Sequence, residues 1–356
     1  PPRSTLFPYT TLFRSERPLP TSAAELPGEL IVYRGMADAS AGVAVGGKWM
    51  VVADDEESIL RLYDRNQGGL PRAEWDLTSF LTFGRGGKEA DIEGSAQIGD
   101  LVYWITSHGR NAEGKLRTSR HRFFATRLVT HGDQIQLTPH GRPYPSLLAD
   151  LIEDPRLEPF SLAAATTLPP KADGGLNLEG MCPGPNGSVM LGFRNPIPGG
   201  KALLLPLLNP AEVVGGHRAV LGEPRLLDLG GYGIRSLDRF QNHYFILAGS
   251  SKGGGTPRLY VWDGTDRSPV PVAVQALRTL NPEAICVFES GGTPWLHALS
   301  DDGTRLVNGV EAKRLEDPFL KTFRGVSFPL PLPAGASGDA TAPRPVALSW
   351  NQTPAR

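Results

Sequence analysis

Ala90-Asp91-Ile92-Glu93-Gly94-Ser95 is the stretch on which the fold turns, because it recurs. Leu176-Asn177-Leu178-Glu179-Gly180-Met181 and Leu280-Asn281-Pro282-Glu283-Ala284-Ile285 repeat it. Ala37-Asp38-Ala39-Ser40-Ala41-Gly42 is a weaker copy with Ser40 in the glutamate position, and Gly233-Ile234-Arg235-Ser236-Leu237 is the weakest, with Arg235 there. Each copy opens an apolar run that is followed by a turn and a second apolar run. Self-similarity of this kind is the signature of a repeat architecture.

Working outward, each copy leads into short strand-like runs bounded by turn residues. They lie at 43–45, 49–53, 60–63 and 73–77 after the first copy, and at 92–97, 101–106, 123–129 and 134–137 after the second. The third copy gives 178–182, 189–193, 202–208 and 225–229, and the fourth 234–237, 243–248, 258–262 and 272–274. The fifth gives 283–288, 295–299, 305–307 and 322–328, and a lone apolar strand precedes the first copy at 29–33. Four strands per copy is the content of one propeller blade, so the fold class expected is all-β, a single β-propeller of five blades, with a degenerate sixth left open. The long gap before the third copy holds Leu147-Leu148-Ala149-Asp150-Leu151-Ile152, whose helical spacing predicts a short helical insertion at about 145–165. Phe323-Arg324-Gly325 echoes Tyr33-Arg34-Gly35, which predicts that the two ends meet in one blade.

The totals agree with a large soluble-type core. Lys and Arg number 36 against 37 Asp and Glu, a balance that argues against a nucleic-acid partner or a polybasic membrane surface. No apolar run approaches the ~20 residues of a membrane-spanning helix. Gly (42) and Pro (33) are abundant, as many turns require. The two cysteines, Cys182 and Cys286, each follow a repeat glutamate by three residues and read as buried packing thiols, with a disulfide the less favoured alternative and nothing to support a metal–thiolate site.

The ends read differently. Thr5 through Ser15 is identical to the translation of a sequencing adapter, so residues 1–15 are set apart as an artefact and 16–28 as a lead-in. The propeller is expected over 29–331, and the Pro/Ala/Gly-rich 332–356 as a mobile tail. With no initiator Met, the native start and the compartment (cytoplasmic or exported) stay open, as does the oligomeric state.

The repeat opens the innermost strand of each blade, so its polar residues should converge at one end of the axis. One column holds Asp38, Asp91, Asn177, Gly233 and Asn281; the other, two residues on, holds Ser40, Glu93, Glu179, Arg235 and Glu283. Period two puts both members of a pair on one face. Convergent Asp, Glu and Asn oxygens are hard ligands suited to a divalent cation, Ca²⁺ first, so Asp38, Asp91, Glu93, Asn177, Glu179, Asn281 and Glu283 are the candidate metal ligands. Three repeat glutamates without an adjacent cation need a counter-charge. Arg110, Arg194, Asn195, Arg235 and Lys252 would hold a small anionic ligand or substrate. His108, at the end of a second strand in Ser107-His108-Gly109-Arg110-Asn111, is the candidate proton carrier beside Glu93 and Glu179 as catalytic carboxylates. The alternative is that these residues bond to neighbouring blades and hold the propeller together. Asp54-Asp55-Glu56-Glu57 reads as a solvated turn. Gly249-Ser250-Ser251-Lys252-Gly253 lacks the helix a nucleophile elbow needs, and Gly84-Arg85-Gly86-Gly87-Lys88 lacks the spacing of a phosphate loop.

Taken together, Asp38-Ala39-Ser40, Glu89 through Gly94, Ser107 through Asn111, Leu176 through Gly180, Gly192-Phe193-Arg194-Asn195-Pro196 and Leu205 through Glu212 resemble a bacterial propeller family of unknown function, over roughly 29–328. More distantly, the Asp-x-Glu-Gly repeat resembles phytase-like and esterase-like propellers. That likeness implies a calcium-dependent phosphoesterase, from which Ser40, Gly233 and Arg235 depart by interrupting the acidic columns. The function expected is a metal-dependent hydrolase of a small anionic ester (a phosphoester or lactone). Its rival is a non-catalytic ligand- or protein-binding propeller.

Overall fold

The computed structural model describes residues 28–82 and 89–330. The adapter-like stretch, the lead-in through residue 27, Gly84 to Lys88 and the C-terminal tail lie outside the described residues. What is described is all-β: five four-stranded antiparallel sheets and one two-stranded ribbon.

Four sheets follow the chain without crossovers. The first runs Ala39–Val45, Trp49–Asp54, Ile59–Asp64 and Ala73–Asp76, and the second Ile92–Ile98, Leu101–Thr106, Phe123–His131 and Gln134–Tyr144. The third is Asn177–Pro183, Val189–Asn195, Ala202–Leu207 and Arg225–Leu227, and the fourth Gly233–Phe240, His243–Gly249, Arg258–Trp262 and Val270–Val272. The fifth combines the two ends of the chain: Pro282–Ser290, Thr293–Ser300 and Thr322–Pro329, with Leu30–Arg34 on its outer edge. Tyr33 faces Phe323 in that pairing, the register that the echo of the two motifs requires. Residues 305–307 do not supply a strand to this sheet. Leu306–Val307 pairs only with Val310–Glu311, because the chain leaves the sheet at Ser300 and returns at Thr322.

The second strands are almost continuously apolar and buried, as in Val189–Asn195, because each sheet packs another on both faces. The cores lie between successive sheets. One joins Val51 and Leu60 to Trp104 and Phe124, a second joins Tyr103 and Phe123 to Leu191 and Leu203, and a third joins Met190 and Leu204 to Ile246 and Tyr260. The helical insertion is present as Leu147–Glu153, a 3₁₀ segment Pro155–Phe160 and Leu162–Ala165. Its Leu147, Leu151 and Leu162 join the second of these cores. The thiols of Cys182 and Cys286 are free and buried.

The first strands contact one another in chain order, and the fifth contacts the first. Each is an edge of its own sheet, so its free backbone groups need partners from the neighbour. Side chains supply them: Ser40 Oγ donates to Ile92 O at 2.5 Å and Ser95 Oγ to Gly42 O at 2.8 Å. Farther on, Ser236 Oγ and Asp238 Oδ2 accept from Ile285 N and Val287 N, at 3.1 and 2.5 Å. The approach is close enough that a Cβ on Gly180 would sit 2.6 Å from the Ile234 side chain, which accounts for the glycine after the repeat glutamate. Among the described residues no helix is long and apolar enough to cross a membrane.

Candidate functional site

Every first strand pairs with its second strand through a register shift at the same place. The shifts fall between Ala39 and Ala41, Ile92 and Gly94, Leu178 and Gly180, Ile234 and Ser236, and Pro282 and Ala284. The residue skipped is the second column of the repeat: Ser40, Glu93, Glu179, Arg235 and Glu283. A bulge re-aims the side chain it carries. The repeat is therefore a bulge signature, and simple strand alternation does not describe where its side chains point.

Two unlike charge arrangements result. In the third to fifth sheets the repeat glutamates are paired. Glu179 Oε1 accepts from Arg194 Nη1 at 2.5 Å and from Asn177 Nδ2 at 2.7 Å, and its Oε2 lies 3.8 Å from Arg235 Nε. Arg235 Nη2 pairs with Glu283 Oε1 and Nη1 donates to Asn281 Oδ1 at 3.1 Å. Arg194 Nε is held by Ser250 O at 3.0 Å. Glu179, Arg194 and Arg235 are all buried. Burial lowers Arg235 to about 10, helped by Arg194 and opposed by Glu179. Burial works most strongly against the charge of Arg194, but Glu179, Glu93 and Asp301 together hold this guanidinium above its ordinary range. Charges of this kind persist in a low-dielectric interior only when paired and hydrogen-bonded. Asp91 has the same character: Ser107 Oγ donates to its Oδ2 and Arg120 Nη1 lies 2.8 Å from it, while burial lifts its carboxyl to about 6 against the pull of Arg120.

In the first sheet and the return from the fifth, the acids outnumber their partners. Asp38 and Asp301 form a backbone bridge, and Asp55 N donates to Asp38 O at 3.4 Å. Oxygens of Asp38, Asp55 and Glu56 all lie within 4.8 Å of one another. Asp55 Oδ1 is buried with no hydrogen-bond partner among the described residues. Burial, then Asp301 and Asp54, lifts Asp38 to about 8; burial, then Glu57, lifts Asp54 to about 7. Asp55 is pushed well above the carboxylate range by burial and next by Asp54, Asp91 and Asp38. Glu93 is pushed up by burial and then by Glu179, Asp91 and Asp55, with Arg194 the opposing charge. Lys313 meets Glu56 at 2.8 Å, and Arg61 is taken up by Glu57 and Glu74. Carboxylates that repel one another in a desolvated site need a further positive charge.

Several residues named from sequence stand elsewhere. His108, with φ 54°, turns its ring onto His121 (centroids 5.7 Å apart), and its Nδ1 lies 2.7 Å from Thr106 O. Burial first, then His121 and Arg122, holds it down at about 3, so it is neutral and faces no carboxylate of the cluster. Arg110 donates to Thr166 O at 2.6 Å and Gly114 O at 3.0 Å, bracing the helical insertion. Asn195 Nδ2 serves Pro170 O and Ala172 O, at 2.8 and 2.7 Å. Lys252 and Asn195 line a cleft of about 630 Å³ with Phe160, Ile197 and Ser251. Arg194 and Arg235, expected to hold an anion, are committed to Glu179 and Glu283. Asp55, Glu56, Asp301 and Lys313 were not anticipated. Their signal is positional, since Asp55 and Asp301 both follow a second strand directly and stand at comparable offsets from the repeat residues Asp38 and Asn281.

These features define an all-β chain of four-stranded antiparallel sheets with a bulge-borne polar centre. A family model described as a protein of unknown function, DUF3616, matches residues 130–285. No curated protein matches the chain. Among solved structures, glutaminyl cyclase from Myxococcus xanthus is similar at 12% identity and TM-score 0.45, with 86% of this chain and 100% of that one covered. A putative oxidoreductase (glucose dehydrogenase) from Thermus thermophilus is similar at 14% identity and TM-score 0.39, covering 84% and 100%. The PQQ-bound aldose sugar dehydrogenase from Streptomyces coelicolor stands at 11% identity and TM-score 0.35, covering 85% and 99%. Likenesses of this size assign no activity.

Proposed function

We propose that the five sheets are the blades of one closed propeller spanning 29–331, and that it binds a divalent cation, Ca²⁺, where Asp38, Asp55 and Glu56 converge. The observation that carries this is the buried Asp55 Oδ1, which has no partner among the described residues and stands among carboxylates that raise one another's proton affinity. Calcium takes six to eight oxygen ligands, and carboxylates of mixed burial suit it better than the strict octahedron of Mg²⁺. Asp38, Asp55 and Glu56 would hold the ion, with Asp301 close to Asp38. The ligand set is thus narrower than the two columns of the repeat and shares only Asp38 with them. Glu179, Asn281 and Glu283 act as struts between sheets through Arg235, while Asp91 and Asn177 are held within their own sheets.

On this reading the activity is hydrolysis of a small anionic ester, a phosphoester or a lactone, at the end of the axis. A bound cation supplies Lewis-acid polarisation and an acidified water. Glu93, desolvated among like charges with Arg194 the opposing charge, is the residue suited to hold and move a proton there. The rival, a propeller that binds a ligand or protein without catalysis, is favoured by the Glu179–Arg194–Arg235–Glu283 network, in which both guanidiniums are ion-paired to the repeat glutamates. Elemental analysis of the purified chain, followed by a phosphoester and lactone panel with and without Ca²⁺, separates them. Stoichiometric calcium with calcium-dependent turnover supports the hydrolase. Calcium without turnover leaves the binding propeller, and a protein that neither retains nor takes up a cation overturns both the site and the hydrolase.

A further inference from the structure

One positive charge already stands among these carboxylates, and the role assigned to it rests on the proposed cation site. Lys313 Nζ lies 2.8 Å from Glu56 Oε1. Burial works against its charge, but Glu56, Asp38 and Asp55 together hold the ammonium above the ordinary lysine range. Lys313 comes from residues 301–321, the excursion between the second and third strands of the fifth sheet. That excursion is firmly rooted. Asp302 N donates to Ala37 O at 2.9 Å and Lys313 N to Gly303 O at 3.0 Å. The carboxylate of Asp302, 1% exposed, accepts from Ser300 Oγ at 2.9 Å and from Arg324 Nε and Nη2 at 2.7 Å each.

The backbone is therefore fixed while the side chain of Lys313, 32% exposed, keeps a route to water. A lysine head on a four-carbon stem is strongly hydrated and leaves a partly exposed pair at low cost. A divalent ion on Glu56 would stand within contact range of the ammonium and repel it. The lysine also leaves the buried Asp55 Oδ1 without a partner among the described residues, so it compensates only part of the charge.

We propose that Lys313 is a tethered counter-ion, which neutralises the Asp38–Asp55–Glu56 carboxylates when no metal is bound and swings into solvent when a divalent cation enters. Occupancy of the site is then coupled to the position of the Lys313 side chain. The free energy of expelling the lysine is subtracted from the affinity for the ion.

The test is calorimetric titration of the full chain with CaCl₂, for wild type, Lys313→Met and Lys313→Arg, together with hydrogen exchange across 301–321. Methionine keeps the length of the stem without the charge. It should tighten calcium by about two- to fivefold, the scale of one partly exposed charge pair. Arginine should not tighten it. Exchange around Gly303 and Lys313 should stay the same with and without calcium, because only the side chain moves; calcium-raised exchange there would show that the excursion itself opens and would overturn the side-chain swing. Equal or weaker binding by Lys313→Met overturns the role of the lysine while leaving the cation site intact. Binding by Lys313→Met alone, with none by wild type, supports the competitor in its strongest form. Absence of binding by both folded proteins removes the cation site and this inference together. Lys313→Gln repeats the titration if the methionine variant does not fold.

Discussion

The rings of Tyr33 and Phe323 stack with centroids 4.8 Å apart and planes 18° from parallel, at directly facing positions of the pair that joins the two ends of the described chain. Tyr63 meets both rings edge-on, at 5.5 and 5.3 Å. Tyr33 Oη donates to Arg65 O at 2.6 Å, so it accepts at 3.0 Å from His297 Nε2, and His297 Nδ1 accepts from Ser327 Oγ at 2.7 Å. The N-terminal strand is thus held by aromatic packing and by a buried polar chain that crosses from the first sheet into the fifth.

If that strand closes the propeller, damage here should be felt everywhere. Phe323→Ala removes a wholly buried ring and should cost about 3–5 kcal/mol. Denaturant unfolding followed by tryptophan fluorescence and by circular dichroism should shift together. A change confined to exchange at the two terminal strands would show that the ends can part without opening the rest.

The pairing of these two strands could be read beforehand, because Tyr33-Arg34-Gly35 and Phe323-Arg324-Gly325 carry the same side-chain pattern on two strands of one sheet. The strand runs were legible for the same reason, their apolar periods being local. The site was only partly legible. Alternation implies that Asp91 and Glu93 share a face, whereas the register shift at Glu93 appears only once two strands are paired. Asp55 and Glu56 look like a solvated turn until Asp38 and Asp301 arrive from other strands and crowd them. Arg235 interrupts the acidic column in sequence, yet in space it is the counter-charge of Glu179 and Glu283. His108 had the right offset from Asp91, but its positive φ turns the ring away.

Glu179→Gln tests the strut reading of the paired half. The change keeps the shape and a hydrogen-bonding oxygen but leaves Arg194 and Arg235 under-compensated. Stability should fall by ~1–3 kcal/mol for a lost charged hydrogen bond, equally with and without calcium. A variant of unchanged melting temperature but weaker calcium binding would return Glu179 to the ligand set.

Gly303 is pressed against the Asp38 carboxylate so closely that any Cβ there would collide with Asp38 Oδ1. Gly303→Ala should therefore displace either Asp38 or the excursion, lowering stability by about 1–3 kcal/mol through overpacking and weakening calcium binding. Thermal melts with and without CaCl₂ check both effects, and unchanged calcium stabilisation would remove Asp38 from the ligand set.

Asp238 gives a pH prediction away from the cation site. Its carboxylate accepts from Val287 N at 2.5 Å and Arg239 N at 2.7 Å, and it acts on the buried thiols of Cys182 and Cys286. Burial lifts its pKa from 3.8 to about 7, against those two amide bonds. The folded protein therefore holds this proton more tightly than the unfolded chain, and the stability it contributes is present below pH 4 and lost as pH rises through 7. Asp238→Asn keeps an acceptor and does not titrate, so the variant should gain on wild type as pH rises from 4 to 8. A constant difference between the two proteins across that range would show that Asp238 titrates normally.

The central claim, a cation held by Asp38, Asp55 and Glu56, is tested most directly by calorimetric titration of wild type and Asp55→Asn with CaCl₂. Asparagine preserves volume and removes the charge of the carboxylate whose Oδ1 has no partner among the described residues. The account predicts a single calcium site in wild type, weakened at least tenfold in Asp55→Asn, while the variant without calcium melts no lower than wild type because a repelled, buried charge has been removed. Calcium binding of equal strength in both proteins, or none in wild type, would contradict it.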